Sequence, residues 1–261
     1  MNYGMIRNIV GKILVLIATL MVLPLLVSLI YKEGLENFIS FLIPIGGLFL
    51  TGFLMCFKKP VNITIGVKEG FIIVSLSWII MSLFGSIPFV ISGEIPSFVD
   101  AFFEITSGFT TTGASVVTDV EALSHSMLFW RSFSHWIGGM GILVFILAFI
   151  PESEDGSSLH ILRAESPGPK VGKLVSKMKV TSRILYLIYL SLTIIEMLLL
   201  WLGPDEKMTF FNSVIYALGT AGTGGFAVEA TSIAAYGSYS QYVIAIFMII
   251  FLSVKIVPTF A

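Results

Sequence analysis

Charged side chains are scarce in this sequence, and their scarcity excludes a soluble fold. Only 12% of the 261 residues are Asp, Glu, Lys or Arg, which is about half the share in an ordinary soluble domain. The formal net charge of −1 provides no basic surface for nucleic acid, and the sequence lacks the alternation of basic and aromatic residues that single-strand binders use. We therefore expect a membrane protein with no nucleic-acid partner.

Cysteine and histidine are also rare. The single cysteine, Cys56, cannot form an intrachain disulfide, and the three histidines are scattered along the chain, with no spacing that would hold a metal ion on one helix face. The Ser, Thr and His residues offer no nucleophile, base and acid set with a recognisable spacing. The sequence therefore predicts no enzyme, no resident metal and no tightly bound cofactor, with an intramembrane enzyme as the weakest alternative.

Apolar residues dominate instead, at 56% of the chain with a mean hydropathy of +0.96. They occur in runs near the length that an α-helix needs to cross a bilayer. These runs predict an all-α polytopic membrane protein with six transmembrane helices, at residues 13–30, 38–57, 70–91, 127–150, 184–202 and 242–257. Lys and Arg concentrate in the N-terminal segment, at Lys58 and Lys59 and in the polar segment 151–181, which predicts that these parts and the N-terminus are cytoplasmic.

Two short apolar segments interrupt this pattern and indicate an internal repeat. Residues 96–105 and 209–218 are too short to cross a membrane, and each precedes a stretch rich in Thr and Gly. One constant shift along the sequence superimposes Phe98 on Phe210, Thr111 on Thr223, Gly113 on Gly225 and Val116 on Val228. The predicted organisation is a transmembrane hairpin (1–65), a first unit (66–151), a cytoplasmic linker (152–181) and a second unit (182–261) that ends prematurely.

Each unit is therefore expected to contain a re-entrant pore helix followed by an extended filter loop. Non-helical backbone is tolerated at membrane depth only where it lines water or is buried in protein. Thr and Gly carry small side chains, so several backbone carbonyl oxygens can turn toward an ion. The alternatives are ordinary loops or glycine-mediated helix packing, and packing is the favoured interpretation for the Gly138-Gly139-x-Gly141 motif.

The sequence contains three distinctive stretches: TSGFTTTGAS at 106–115, FWRS at 129–132 and WIGGMGI at 136–142. Together they resemble the TrkH/KtrB family of bacterial potassium uptake proteins. The resemblance covers nearly the whole chain. It implies an initial helix pair, then four units around one axis that each give one filter strand, in a bacterial or archaeal cytoplasmic membrane. It also implies K⁺ as the transported ion and a cytoplasmic nucleotide-binding ring of the TrkA type as partner. The implied filter residues are Thr110, Thr111, Thr112, Gly113, Gly222, Thr223, Gly224 and Gly225.

The chain departs from that family by having two units rather than four. It also has a lysine and a proline, Lys255 and Pro258, near the expected end of the sixth span, and it stops at Ala261. We therefore expect the first half of an uptake subunit, truncated or a fragment, whose pore needs a second copy or the missing half. The alternative is a non-transporting subunit that assembles with or modulates a full-length partner. The sequence leaves open K⁺ against Na⁺ preference, and channel against H⁺ or Na⁺ symport.

Charged residues inside the predicted membrane segments should pair, because an isolated charge there is costly. Glu104 lies on the first short helix and Arg131 on the fourth predicted span. We expect an ion pair between them that anchors the pore helix. The alternative is that Arg131 extends to the lipid headgroups. Glu196, in the fifth predicted span, has no assigned role.

Overall fold

The computed structural model describes residues 1–58, 60, 66–139, 141 and 175–260. These residues form helices joined by loops and contain no strand. The second half of the predicted fourth span and most of the predicted linker, 152–174, lie outside the described residues. The structure therefore supports an all-helical membrane protein, while the boundaries of the predicted units stay predictions.

The N-terminal segment forms a helical hairpin. Helix α1 spans Tyr3–Leu20, α2 spans Val22–Tyr31 and α3 spans Leu35–Phe57. Pro24 lacks the N–H that would bond to the carbonyl of Leu20, which explains why the first apolar segment is divided at this point. In the hairpin, α1 packs closely against α3 because Gly11 and Gly52 face each other: a Cβ on Gly11 would lie 2.9 Å from the carbonyl oxygen of Gly52.

Within the part of the chain that the structure describes, four segments are long and apolar enough to cross a membrane: Tyr3–Tyr31, Leu35–Phe57, Lys68–Ser92 and Arg183–Trp201. The third belongs to α4, Val67–Ser92, and the fourth to α7, Val175–Trp201. Helix α7 begins at Val175, inside the stretch that the sequence assigns to the linker. A shorter apolar segment, Ser238–Val254, lies in the last helix. The prediction of six spans therefore stays a prediction for the fourth and sixth.

The remaining elements form two similar arrangements. They are α5 (Phe98–Phe109), α6 (His125–Gly139), α8 (Phe210–Gly222), a 3₁₀ turn (Ser232–Ala235) and α9 (Ser238–Phe260). The short helices α5 and α8 begin alike, because Ser97 and Thr209 accept hydrogen bonds from backbone N–H groups three residues later, at 3.4 and 3.2 Å. Helix α6 contacts both α5 and α8, so it joins the two repeat units.

Candidate functional site

The two short helices end in the same backbone turn, at positions that the repeat pairs. Thr111 and Thr223 both take the left-handed conformation, with φ of 55° and 56°. Their N–H groups donate to Gly108 O at 3.0 Å and to Thr220 O at 2.8 Å. The next N–H groups donate five residues back, at 2.9 and 3.3 Å, which completes a Schellman-type helix end. A β-branched residue rarely adopts this conformation, so both turns are held by their surroundings.

A second position with positive φ follows in each unit, and here the residue is glycine. Gly113 has φ of 76° and Gly225 has φ of 88°. We name residues 110–113 the first turn segment and residues 222–225 the second. The two segments touch, because a Cβ built on Gly113 would overlap the carbonyl oxygen of Gly224. Position 113 therefore excludes any side chain on two counts, its backbone conformation and the contact with the second segment.

The first turn segment offers oxygen atoms and no charged side chain. Thr110 and Thr112 are exposed, and their hydroxyl oxygens lie 2.8 Å apart. In the second segment Gly225 is exposed, while Gly222 is the buried last residue of α8. Hydroxyl and carbonyl oxygens are ligands for hard cations. The structure thus brings Gly113 of the first unit into contact with Gly224 of the second, and both segments present oxygen atoms of this kind.

A buried ion pair lies behind the first turn segment. Arg131 and Glu104 are 2% and 0% exposed, and the Arg131 Nη2 atom lies 2.7 Å from Glu104 Oε1. The Nε of Arg131 donates to the same oxygen at 2.8 Å. Glu104 also accepts hydrogen bonds from Ser115 Oγ and from the backbone N–H of Val116, each at 2.9 Å. The carboxylate therefore fixes the chain that leaves the first turn segment.

Arg131 also reaches the second unit. One of its terminal nitrogens donates to the carbonyl oxygen of Ala227 at 3.4 Å. Its guanidinium carbon lies 4.2 Å above the centre of the Phe226 ring, within the range of a cation–π contact. The other terminal nitrogen donates to Ser115 at 3.2 Å. One arginine thus connects the chains that follow both turn segments, a role that sequence reasoning did not assign to it.

In the second unit a tyrosine occupies the place of the glutamate. Tyr216 is the repeat counterpart of Glu104, and its hydroxyl interacts with the backbone of Val228, the counterpart of Val116. The Tyr216 hydroxyl also donates to Ser232 O at 3.5 Å. Sequence reasoning did not identify Tyr216 as a site residue. The signal was present, because the same shift that superimposes the glycines places Tyr216 on Glu104.

Glycines of α6 allow the ends of both short helices to approach it. A Cβ on Gly138 would overlap the carbonyl oxygen of Phe109, the last residue of α5. A Cβ on Gly139 would lie 2.9 Å from the Cα of Gly222, the last residue of α8. One turn earlier, the buried His135 contacts Gly222 and Gly224 and lies with its ring 4.0 Å from that of Phe226. Helix α6 therefore supports both turn segments.

Acidic residues from the loops position α6 and α9. Glu94 accepts from the N–H and the hydroxyl of Ser124 at 2.9 and 2.6 Å, and Glu33 accepts from the N–H of Ser126 at 3.0 Å. Asp205 accepts from Ser240 Oγ at 3.2 Å near the start of α9. These carboxylates satisfy helix N-termini. Burial, together with the nearby charge of Glu33, raises the pKa of Glu94, and the hydrogen bonds from Ser124 oppose that rise.

Comparison with known proteins decides the family. A family model described as "TrkH: Cation transport protein" matches residues 40–254. The chain belongs to this TrkH family. It is 35% identical over 258 residues to the Trk system potassium uptake protein TrkH of Vibrio parahaemolyticus, covering 98% of this chain and 51% of that relative. It is 32% identical over 247 residues to the Trk system potassium uptake protein TrkG of Escherichia coli K12, covering 92% and 49%.

A solved structure agrees with this assignment. The chain superimposes on the crystal structure of the potassium transporter TrkH from Vibrio parahaemolyticus with a TM-score of 0.76 and 31% identity. The match covers 97% of this chain and 49% of that one. The TrkH family resemblance is thus confirmed, and the relatives are named as transporters rather than enzymes. The chain spans about half the length of the curated relatives that it matches.

Proposed function

We propose that this chain contributes two of the filter strands of a potassium uptake pore, and that the two turn segments are those strands. The observation that carries the proposal is the contact between Gly113 and Gly224, where two helix ends with equivalent turns meet. Each short helix ends at its turn segment, so its C-terminal partial negative charge favours a cation there. Thr and Gly oxygens would replace the hydration shell of that cation.

The driving force for uptake is the membrane potential. Moving one K⁺ ion inward is favourable by about 2.3 kcal/mol per 100 mV, and no covalent chemistry is required. We propose that the ion is K⁺ because the relatives are named potassium uptake proteins. Gly and Thr oxygens alone would suit Na⁺ as well, because selectivity depends on the number and geometry of the oxygens around the ion.

Two strands surround only part of an ion. We therefore propose that two further strands come from a second copy or from the half of the relatives that this chain does not match. To test this, the 261-residue chain is expressed in cells that lack their own potassium uptake systems, alone and with the C-terminal half of the Vibrio parahaemolyticus relative. We expect rubidium uptake only when both halves are present. Uptake by the chain alone would indicate a working dimer, and no uptake in either case would favour the non-transporting subunit.

The filter residues are tested by a matched pair of glycine variants. Gly113 and Gly93 both have φ of 76°, but only Gly113 contacts the other unit, whereas a Cβ on Gly93 meets nothing within 4 Å. In a transporting assembly, Gly113→Ser should reduce the preference for K⁺ over Na⁺, and Gly93→Ser should leave it unchanged. Equal preference for K⁺ over Na⁺ in both variants would show that position 113 is not part of the filter.

Orientation and partner complete the proposal. The distribution of Lys and Arg supports a cytoplasmic N-terminus, so a cysteine at Ser158 should be labelled only from inside and one at Lys207 only from outside, in a chain with Cys56 replaced. The family resemblance of the sequence supports a nucleotide-binding ring of the TrkA type on the cytoplasmic face. Co-purification of such a ring with the two-half assembly tests this partner. Labelling of a cysteine at Ser158 from outside in intact cells would contradict the cytoplasmic orientation.

A further inference from the structure

A buried carboxyl group lies on α7, away from the Glu104–Arg131 pair. Tyr189, Thr193, Glu196 and Leu200 follow one another at helical spacing and are 0%, 6%, 0% and 0% exposed. This face of α7 contacts α6 through two hydrogen bonds, from Tyr189 Oη to Trp136 O at 3.1 Å and from Trp136 Nε1 to Thr193 Oγ1 at 3.2 Å. Glu196 therefore points into the protein and not toward lipid.

Nothing in the described part of the chain neutralises this carboxyl. The ion pairs found among the described residues involve other carboxylates, and neither oxygen of Glu196 meets the full geometry of a hydrogen bond there. Thr220 of α8, which is itself 2% exposed, interacts with this carboxyl group. A buried carboxylate without a cation is strongly disfavoured, whereas the neutral acid can donate a hydrogen bond.

We propose that Glu196 is a proton-binding site that holds its proton at neutral pH and donates it in a hydrogen bond to the hydroxyl of Thr220. The ligand is H⁺ from solvent, and binding changes the carboxylate into a neutral acid with no other bond formed or broken. The site differs from the turn segments in chemistry, because it takes a proton and not a metal cation.

The position of Thr220 links this proton to the second turn segment. The carbonyl oxygen of Thr220 accepts the N–H of Thr223 at 2.8 Å, and this bond holds Thr223 at its φ of 56°. Loss of the proton would place a negative charge beside the C-terminal end of α8, which already carries partial negative charge. Repulsion between them would displace the last turn of α8, and with it residues 222–225.

Other titratable groups lie near this end of the helices. Tyr189 lies on the same buried face of α7 as Glu196. Tyr239 of α9 donates its hydroxyl to Leu199 O at 3.2 Å, one turn further along α7. His135 of α6 contacts Gly222 and Gly224. Because these groups lie near Glu196, the experiment must assign the signal to Glu196 itself.

Infrared difference spectroscopy on the purified chain in lipid nanodiscs makes that assignment and requires no transport. We expect a protonated-carboxyl stretching band at neutral pH that disappears in Glu196→Gln. Thr220→Val should move the band to the frequency of a carboxyl without a hydrogen bond. If Glu196→Gln does not fold, the shift of the band in Glu196→Asp provides the assignment. A carboxylate band for Glu196 at neutral pH would overturn the proposal, whether or not the chain transports potassium.

The link to the second turn segment rests on the proposed function and has its own test. In an assembly that transports rubidium, the flux at alkaline pH is divided by the flux at neutral pH for each variant. We expect the flux at alkaline pH to be several-fold lower than at neutral pH in the unmodified protein. In Glu196→Gln the ratio should stay near one, since glutamine cannot ionise. An equal fall in both would overturn the link, and an assembly without flux would count against the proposed function and leave the infrared result to decide the proton site.

Discussion

Replacing Arg131 with alanine removes the cation from an ion pair that has almost no access to water. The two side chains are 2% and 0% exposed. Glu104 would keep its hydrogen bonds from Ser115 and Val116 but would lose the charge that balances it. Breaking a buried pair in this way costs about 3–5 kcal/mol, which lowers the ratio of folded to unfolded protein by roughly 10²- to 10⁴-fold.

The measurement is a double-mutant cycle of unfolding free energies in mixed micelles, with Glu104→Gln as the second substitution. Glutamine retains an oxygen that accepts the N–H of Val116 and removes the uncompensated charge. We therefore expect the double variant to be more stable than the sum of the single effects predicts, by about 1–3 kcal/mol. Lys12→Ala, at an exposed lysine of α1, is the control and should change stability by no more than about 0.5 kcal/mol. Strict additivity would refute the pair and favour an arginine that extends to the headgroups.

Three further predictions concern the supports of the turn segments. Gly138→Ala should destabilise the protein by about 1–3 kcal/mol, because the methyl group overlaps a backbone carbonyl of α5 that cannot rotate away. The control Gly46→Ala should not destabilise it, because a Cβ there meets nothing within 4 Å. Equal melting temperatures for the two variants would contradict the contact at Gly138. Tyr216→Phe should cost about 1 kcal/mol in the same assay, because it removes the hydroxyl that donates to Ser232 O. Since burial raises the pKa of Glu94, the folded state favours the protonated acid, so unfolding free energy should fall as pH rises from below the ordinary carboxyl pKa through the raised one. Glu94→Gln should flatten that pH dependence.

The helices were the part of the fold that the sequence predicted best. The apolar runs at 38–57 and 70–91 correspond to α3, Leu35–Phe57, and α4, Val67–Ser92, because burial in lipid requires continuous apolar surface. The start of α7 at Val175 was not predicted, because residues 175–183 contain lysine, serine and arginine and show no apolar run.

The sequence predicted the residues of the site only where the repeat, or the cost of burying a charge, constrained their positions. The constant shift between the two units pairs the positions that take positive φ, and the cost of an isolated charge brings Glu104 and Arg131 together. The contacts of His135 with Gly224 and of Glu33 with Ser126 join residues that are distant in sequence. No local pattern marks such contacts, because they depend on how α6 is placed between the two units.

The repeat preserves backbone geometry more closely than it preserves the side chains that hold this geometry. Both turn segments have the same hydrogen bonds and the same pattern of φ, yet the first is anchored by a charged pair and the second by a tyrosine. The position equivalent to Arg131 in the second unit is Val243, which can neither donate a hydrogen bond nor balance a charge. The second unit instead receives the guanidinium of the first, through Ala227 and Phe226. The two units are therefore not interchangeable: the second turn segment depends on α6 of the first unit for its support, and a rearrangement that separated the units would leave that segment without it.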